Sequence, residues 1–245
     1  MNFILAAVLA ASLLPAPIES AFSKGETLDY NLTWLKVTGG TARMTISPFG
    51  DDRFRITSTA HSSTRFSRFF KVRDQIETTV ARGDFSTLRY VKRLNEDGDT
   101  IEEVTTVEEG IATRTRKKVK KVPVPRPVFD PISVIFYLRS LDLSSGKSHE
   151  MTLIADGKVY TVHVRVVRRE TLTTPAGKFS TVMVEPQMTS GGVARAERLF
   201  IWYSDDERRI PVRIRTEVKV GAITATLTGV QSGVSSVDPP VLKTD

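Results

Sequence analysis

The sequence predicts an all-β, mainly antiparallel protein: a curved sheet, half-open barrel or sandwich wrapped around one central α-helix. Three observations lead there. Apolar and polar residues alternate with period two along much of the 245 residues. Turn-forming glycines and aspartates fall between most of these runs, too close together for the crossover helices that parallel pairing needs. One stretch alone, near 131–142, is densely apolar behind a capping residue.

At the amino end, Phe3 to Leu14 (FILAAVLAASLL) is an apolar run too short to cross a bilayer, followed by Pro15, Pro17 and the small residues Ser20 and Ala21. This is the pattern of a secretory signal peptide, residues 1–21. No Lys or Arg precedes the run, and PAPIESAFS fits a small-x-small cleavage site poorly, so an uncleaved anchor is the competing reading. Residues 22–231 then form a single β domain, and the aperiodic stretch 232–245 a disordered tail.

The domain opens as a meander: Leu28, Tyr30, Leu32 and Trp34, the Gly39-Gly40 turn, then Ala42, Met44 and Ile46, then Phe54 and Ile56. Strands follow over 72–80, 87–94, 101–108 and 111–119. The proline-rich VPVPRP (122–127) runs extended and divides either two halves of one sheet or two subdomains. One domain is expected, because neither half carries a self-sufficient core. Asp130 is a good N-cap, Pro131 suits the first helical position, and ISVIFYLRSLDL continues the helix to Ser144-Ser145-Gly146. Ser133, Tyr137 and Ser140 make a narrow polar stripe on it. A helix this apolar is mostly buried, and the concave face of the sheet is the partner available.

Beyond it come strands at 151–154, 159–166, 181–186, 196–203, 210–220 and 223–230. In the second, Tyr160, Val162, Val164 and Val166 share a buried face, and Thr161, His163 and Arg165 a wet one. In IPVRIRTEVKV, Val212, Ile214, Val218 and Val220 alternate with Arg213, Arg215, Glu217 and Lys219 in the same way.

The absence of cysteine excludes disulfides, thiol catalysis, cysteine-based metal centres and lipoprotein anchoring. Thirty-five basic against 28 acidic residues give a net charge of +7. Cleavage after Ala21 removes only Glu19 among the charges, leaving 27 acidic residues and a net +8. That excess favours anionic partners: phospholipid head groups, lipopolysaccharide or acidic polymers rather than nucleic acid, which an exported chain rarely meets. No later stretch is apolar enough to span a bilayer.

Three stretches carry a resemblance: Asp130 to Arg139 (DPISVIFYLR), Thr174 to Thr181 (TPAGKFST) and Trp202 to Arg213 (WYSDDERRIPVR). Together they resemble the signatures of a widespread family of exported bacterial proteins grouped as a domain of unknown function. The resemblance spans most of the mature chain and implies an all-β, half-open barrel similar to the lipoprotein-carrier folds. It implies no activity and no catalytic residues.

The residues themselves point to binding rather than catalysis. His61, His149 and His163 have no ligand spacing, and no nucleophile elbow, phosphate loop or zincin motif occurs, so neither metal nor cofactor is expected. Asp205-Asp206-Glu207 reads as a polar turn, or alternatively as a carboxylate cluster of a hydrolase. RTRKKVKK (114–121) on a strand places Arg114, Arg116, Lys118 and Lys120 on one face, either as a lysine-protected edge or as a contact for anionic lipid or polymer. Trp34, Phe136, Tyr137 and Trp202 either line an interior pocket or fill it. Phe66, Phe69 and Phe70 in STRFSRFFKVR form an amphipathic edge or join the core. The expectation is a periplasmic binding or carrier protein with an apolar groove beside the helix for a lipid or acyl ligand and basic residues at its rim. The alternative is a structural adaptor that contacts another envelope protein or an acidic polymer.

Overall fold

One sheet of fifteen strands organises the chain in the computed structural model, which describes residues 14–35, 37–63, 72–96, 99–191, 193–194 and 198–233. The first meander comprises β1 (Glu26–Trp34), β2 (Val37–Pro48), β3 (Arg53–Ser62), β4 (Arg73–Ala81), β5 (Thr87–Glu96), β6 (Asp99–Glu108), β7 (Ile111–Thr115) and β8 (Val119–Pro123). The second comprises β9 (Ser148–Ala155), β10 (Lys158–Thr174), β11 (Gly177–Ser190), β12 (Val193–Ala194), β13 (Leu199–Ser204), β14 (Pro211–Glu217) and β15 (Ala222–Ser232). Adjacent strands pair antiparallel, and β15 returns to pair with β1, so the two meanders join in mid-sheet and leave β8 and β9 as the two outermost strands. The predicted mainly antiparallel, open-barrel class is therefore the one found, and VPVPRP separates two halves of one sheet.

Register shifts at Asp29/Tyr30, Leu32/Thr33, Val166/Arg168 and Trp202/Tyr203 place extra residues in single strands. Bulges of this kind increase local twist and bend the strand, which curls the sheet into a trough. The edges meet by side chains rather than by a ladder: Ala112, Val124 and Val128 pack on Ile154. The linker helps to bridge the gap, because Val128 accepts from the Thr87 amide at 2.8 Å and Phe129 exchanges two backbone bonds with β9.

The inner face follows the period-two patterns. Tyr160, Val162 and Val164 are buried in the main core and Val166 packs against it, as the alternation predicts. On β1 the inner face is graded, from fully buried Leu28 and Tyr30, through half-buried Leu32, to Trp34 at the open end. The closed end is plugged by two short helices, α1 (Ala16–Lys24) and α2 (Ser133–Tyr137), the latter continued by a 3-10 turn over Leu138–Ser140. Phe22 of α1 lies 5.9 Å from Phe54, 5.8 Å from Phe85 and 5.8 Å from Phe136. Full burial of one such ring contributes about 1.5–3 kcal/mol.

Four expectations are corrected. The helix near 131–142 is only five α-helical residues and a 3-10 turn, because Leu141 leaves helical geometry at φ −82°, ψ 157° and returns the chain toward β9. The basic run is no single strand: Arg116, Lys117 and Lys118 bend into a hairpin turn, and Arg114 pairs opposite Lys120. Val212 and Ile214 do not share a face, since the bulge opposite Trp202/Tyr203 sends Val212 outward and Ile214 inward. Val218 and Val220 lie beyond the end of β14, in the turn to β15.

Candidate functional site

Where the plug stops, the trough stays hollow. A cleft of about 1000 Å³ opens at this end, walled by Leu32, Trp34, Gly40, Ala60, Val72, Val218, Val220 and Ile223, with Thr33, His61, Ser62, Asp74 and Lys219 as its polar members. Its width follows from small side chains on the inner face. The register sets Gly40 beside Leu32, and Ala60 across from Ala42 and Asp74. Gly40 itself is demanded by close strand approach, because a Cβ there would stand 2.1 Å from the His61 carbonyl oxygen. Partial burial and the neighbouring Arg73 hold the His61 imidazole below its ordinary value. The inner face continues from Ile223 through Thr216 to Leu199, where a smaller hollow of about 190 Å³ lies against Pro131 and Val134 of the helix region. Lys92 and Asp156 pair at 2.6 Å on its border.

The opposite end is closed by polar groups as well as by rings. Arg139 is 0% and Glu26 1% exposed, joined by bonds of 2.6 and 3.3 Å. The Arg139 guanidinium also donates twice to the Arg208 carbonyl and lies 4.9 Å from the Phe22 ring centre. Asp130 caps the helix region by accepting from the Ile132 and Ser133 amides, while its second oxygen accepts from the hydroxyls of Thr78 and Thr87. Tyr203 donates to the Ile135 carbonyl and Tyr30 to that of Pro211. Burial pushes both phenols up, so they remain protonated donors. Two of the signature stretches thus meet here: DPISVIFYLR supplies Asp130 and Arg139, and WYSDDERRIPVR supplies the carbonyls of Arg208 and Pro211.

The structure scatters the residues singled out in the sequence. Trp34 lines the cleft. Phe136 is buried in the plug at the other end, and Tyr137 beside it stacks on Phe129 at 4.2 Å. Trp202 lies on the convex face with Leu172, Met183, Phe200 and Val212, its indole donating to Glu170 at 2.7 Å. Arg114 pairs with the buried Glu103 at 2.5 Å, and its stem lies with that of Lys120 over Gly157 at the β9–β10 turn. Arg116 and Lys118 project from the exposed hairpin turn. None of these four basic residues is part of the cleft wall. Phe66, Phe69 and Phe70 lie outside the described residues. Asp206 accepts from Ser204 and from the amides of Arg208 and Arg209, which makes it the organiser of a turn, while Asp205 pairs with Arg169 on the surface. Among the described residues no group of three or more His, Asp or Glu converges as metal ligands do. Sequence reasoning missed Glu26 and Arg139 as a pair, and missed Leu32, Gly40, Ala60 and Ile223 as a wall. The run of small residues at Gly40, Ala42 and Ala60 on expected strands was the available signal for the wall.

A family model described as "Protein of unknown function (DUF3108)" matches residues 28–228. Among curated proteins nothing matches. Among solved structures, a beta-barrel-like protein of domain of unknown function DUF1849 from Brucella abortus is similar with a TM-score of 0.61 at 13% identity, over 85% of this chain and 97% of that one. A protein with a YmcC-like fold from Bacteroides fragilis aligns at 12% identity with a TM-score of 0.33, over 84% of this chain and 95% of its own. The first likeness supports the barrel-like fold alone. No helix among the described residues is long and apolar enough to cross a membrane.

Proposed function

We propose that this chain, which belongs to the family described as Protein of unknown function (DUF3108), is an exported binding or carrier protein of the bacterial envelope that holds the acyl part of a lipid in the cleft at its open end. The observation that carries the reading is the cleft itself. It stands at the upper end of the range for small-molecule sites and its wall is almost wholly apolar. A hollow of that kind is poor at holding water and disposed to take hydrocarbon. The plug at the other end makes it a blind cup rather than a channel.

The groove beside the helix is the smaller of the two hollows, so the acyl chain is assigned to the cleft around Trp34 instead. Lys219 is the cation placed to meet an anionic head group at its mouth. The hairpin turn of Arg116, Lys117 and Lys118 serves as a charged guard on a free sheet edge. Export rests on the apolar run from Phe3 to Leu14.

The test is mass spectrometry of lipid carried through purification, followed by displacement of a fluorescent fatty acid from the delipidated protein. Ala60→Phe fills the cleft from its wall and is expected to weaken the probe by about tenfold or more, with an unchanged circular dichroism spectrum. Failure of the wild-type protein to carry or take up any acyl chain, or equal binding by Ala60→Phe, sinks the proposal.

A further inference from the structure

The structure assigns a second role to the open end: the two hairpin tips beside the cleft form a docking surface for an anionic lipid bilayer. Among the described residues, eight large apolar side chains are exposed, and five of them, Trp34, Leu35, Val37, Val220 and Ile223, sit at this end. Leu35 is 53%, Val37 59% and Val220 62% exposed. The remaining three, Ile111, Val119 and Val167, belong to β7, β8 and β10. Scattered apolar residues are ordinary on a protein surface, but a contiguous apolar patch marks an interaction site.

The two tips are built as one unit. The Trp34 indole donates to the Val220 carbonyl at 2.9 Å. Gly221 adopts φ +79°, and a Cβ there would lie 2.6 Å from Leu35 Cδ2, so its glycine lets one tip rest on the other. The Val218 amide is already bonded to the Gly221 carbonyl at 3.2 Å, which lowers the desolvation cost of pressing this turn into head groups. The second tip sets Lys219 between Val218 and Val220, a lysine between two apolar residues. Glu217 at the base of the second tip lies 3.7 Å from Arg215. Apolar side chains with Lys219 among them and one tryptophan, on a chain of net charge +7, complement a negatively charged interface. Trp34, Val220 and Ile223 belong to both the patch and the cleft wall, so docking aligns the mouth of the cup with the acyl layer. That alignment rests on the acyl-binding reading, although the docking surface itself does not.

The experiment is flotation of the full chain with vesicles of phosphatidylcholine alone or mixed with phosphatidylglycerol. Trp34 fluorescence is read in a Trp202→Phe background. The wild-type protein is expected to float with the mixed vesicles and shift its emission to the blue, and to do so less at high salt. Leu35→Asp with Val220→Asp is expected to weaken this by about tenfold or more, whereas Val119→Asp, on a distant edge strand, leaves it unchanged. No flotation of the wild type, or equal flotation of the Leu35→Asp/Val220→Asp variant, overturns the inference. So does a pattern in which these substitutions abolish capture of a protein partner but not of vesicles. Binding of the fluorescent fatty acid by the wild-type protein separates the two proposals: uptake without flotation defeats docking alone, and absent uptake defeats the acyl cup.

Discussion

Replacing Arg139 with methionine is the most demanding check on the closed end. The substitution keeps much of the side-chain volume but strands Glu26, 1% exposed, with Arg208 Nη2 at 3.0 Å as its remaining cationic partner. The Arg208 carbonyl loses two donors as well, at 3.1 and 2.8 Å. Removing one partner of a buried pair costs about 3–5 kcal/mol, chiefly because the other charge is left desolvated. Arg208→Met removes a side chain that is 43% exposed, and is expected to cost about 1 kcal/mol or less. Arg139→Met combined with Glu26→Leu takes out both charges and is expected to be less damaging than Arg139→Met alone. Urea unfolding followed by circular dichroism gives each stability by linear extrapolation. A cost below about 1 kcal/mol for Arg139→Met, or a double variant worse than the single, refutes the argument that this pair holds the plug. Because the pair lies away from the cleft, the folded Arg139→Met protein should still take up the fatty-acid probe.

Two further outcomes follow from the convex face and from α1. The Trp202 indole, opposed by partial burial and aided by Arg168, holds the Glu170 carboxyl below its ordinary value. The stabilisation from ionised Glu170 is therefore complete above the ordinary carboxylate range and fades as the pH falls through the lowered value. Trp202→Phe should return the Glu170 carboxyl toward its ordinary value in an NMR titration, and an unmoved titration contradicts this. A chain beginning at Phe22 lacks Leu14 and Ile18, both in the core, and the 2.7 Å pair of Glu19 with Arg82. It should be less stable than a chain beginning at Leu14 by about 2–5 kcal/mol, read from urea midpoints. Equal midpoints would show that the amino-terminal helix contributes nothing to the plug, and would suit export with cleavage after Ala21.

Local chemistry was legible where neighbours in the chain suffice to determine it. Tyr160, Val162 and Val164 alternate because a strand presents successive side chains to opposite faces, and the core takes one face of β10 as expected. The β9–β10 turn falls at Asp156-Gly157, where both residues have positive φ, and Asp130 caps the helix region as its type and position suggest. Tertiary structure decided which face is inside, since period two separates two faces without saying how the sheet curls. A bulge in β14 turned Val212 outward, and the same curvature left Trp202 on the convex side while Trp34 reached the mouth of the cleft. The pairs that close one end and join the tips at the other, Arg139 with Glu26 and Trp34 with Val220, are 113 and 186 residues apart. No local pattern encodes contacts of that span. The second exists because β15 returns to pair with β1, and the first because the helix region between the two meanders folds back onto the start of β1.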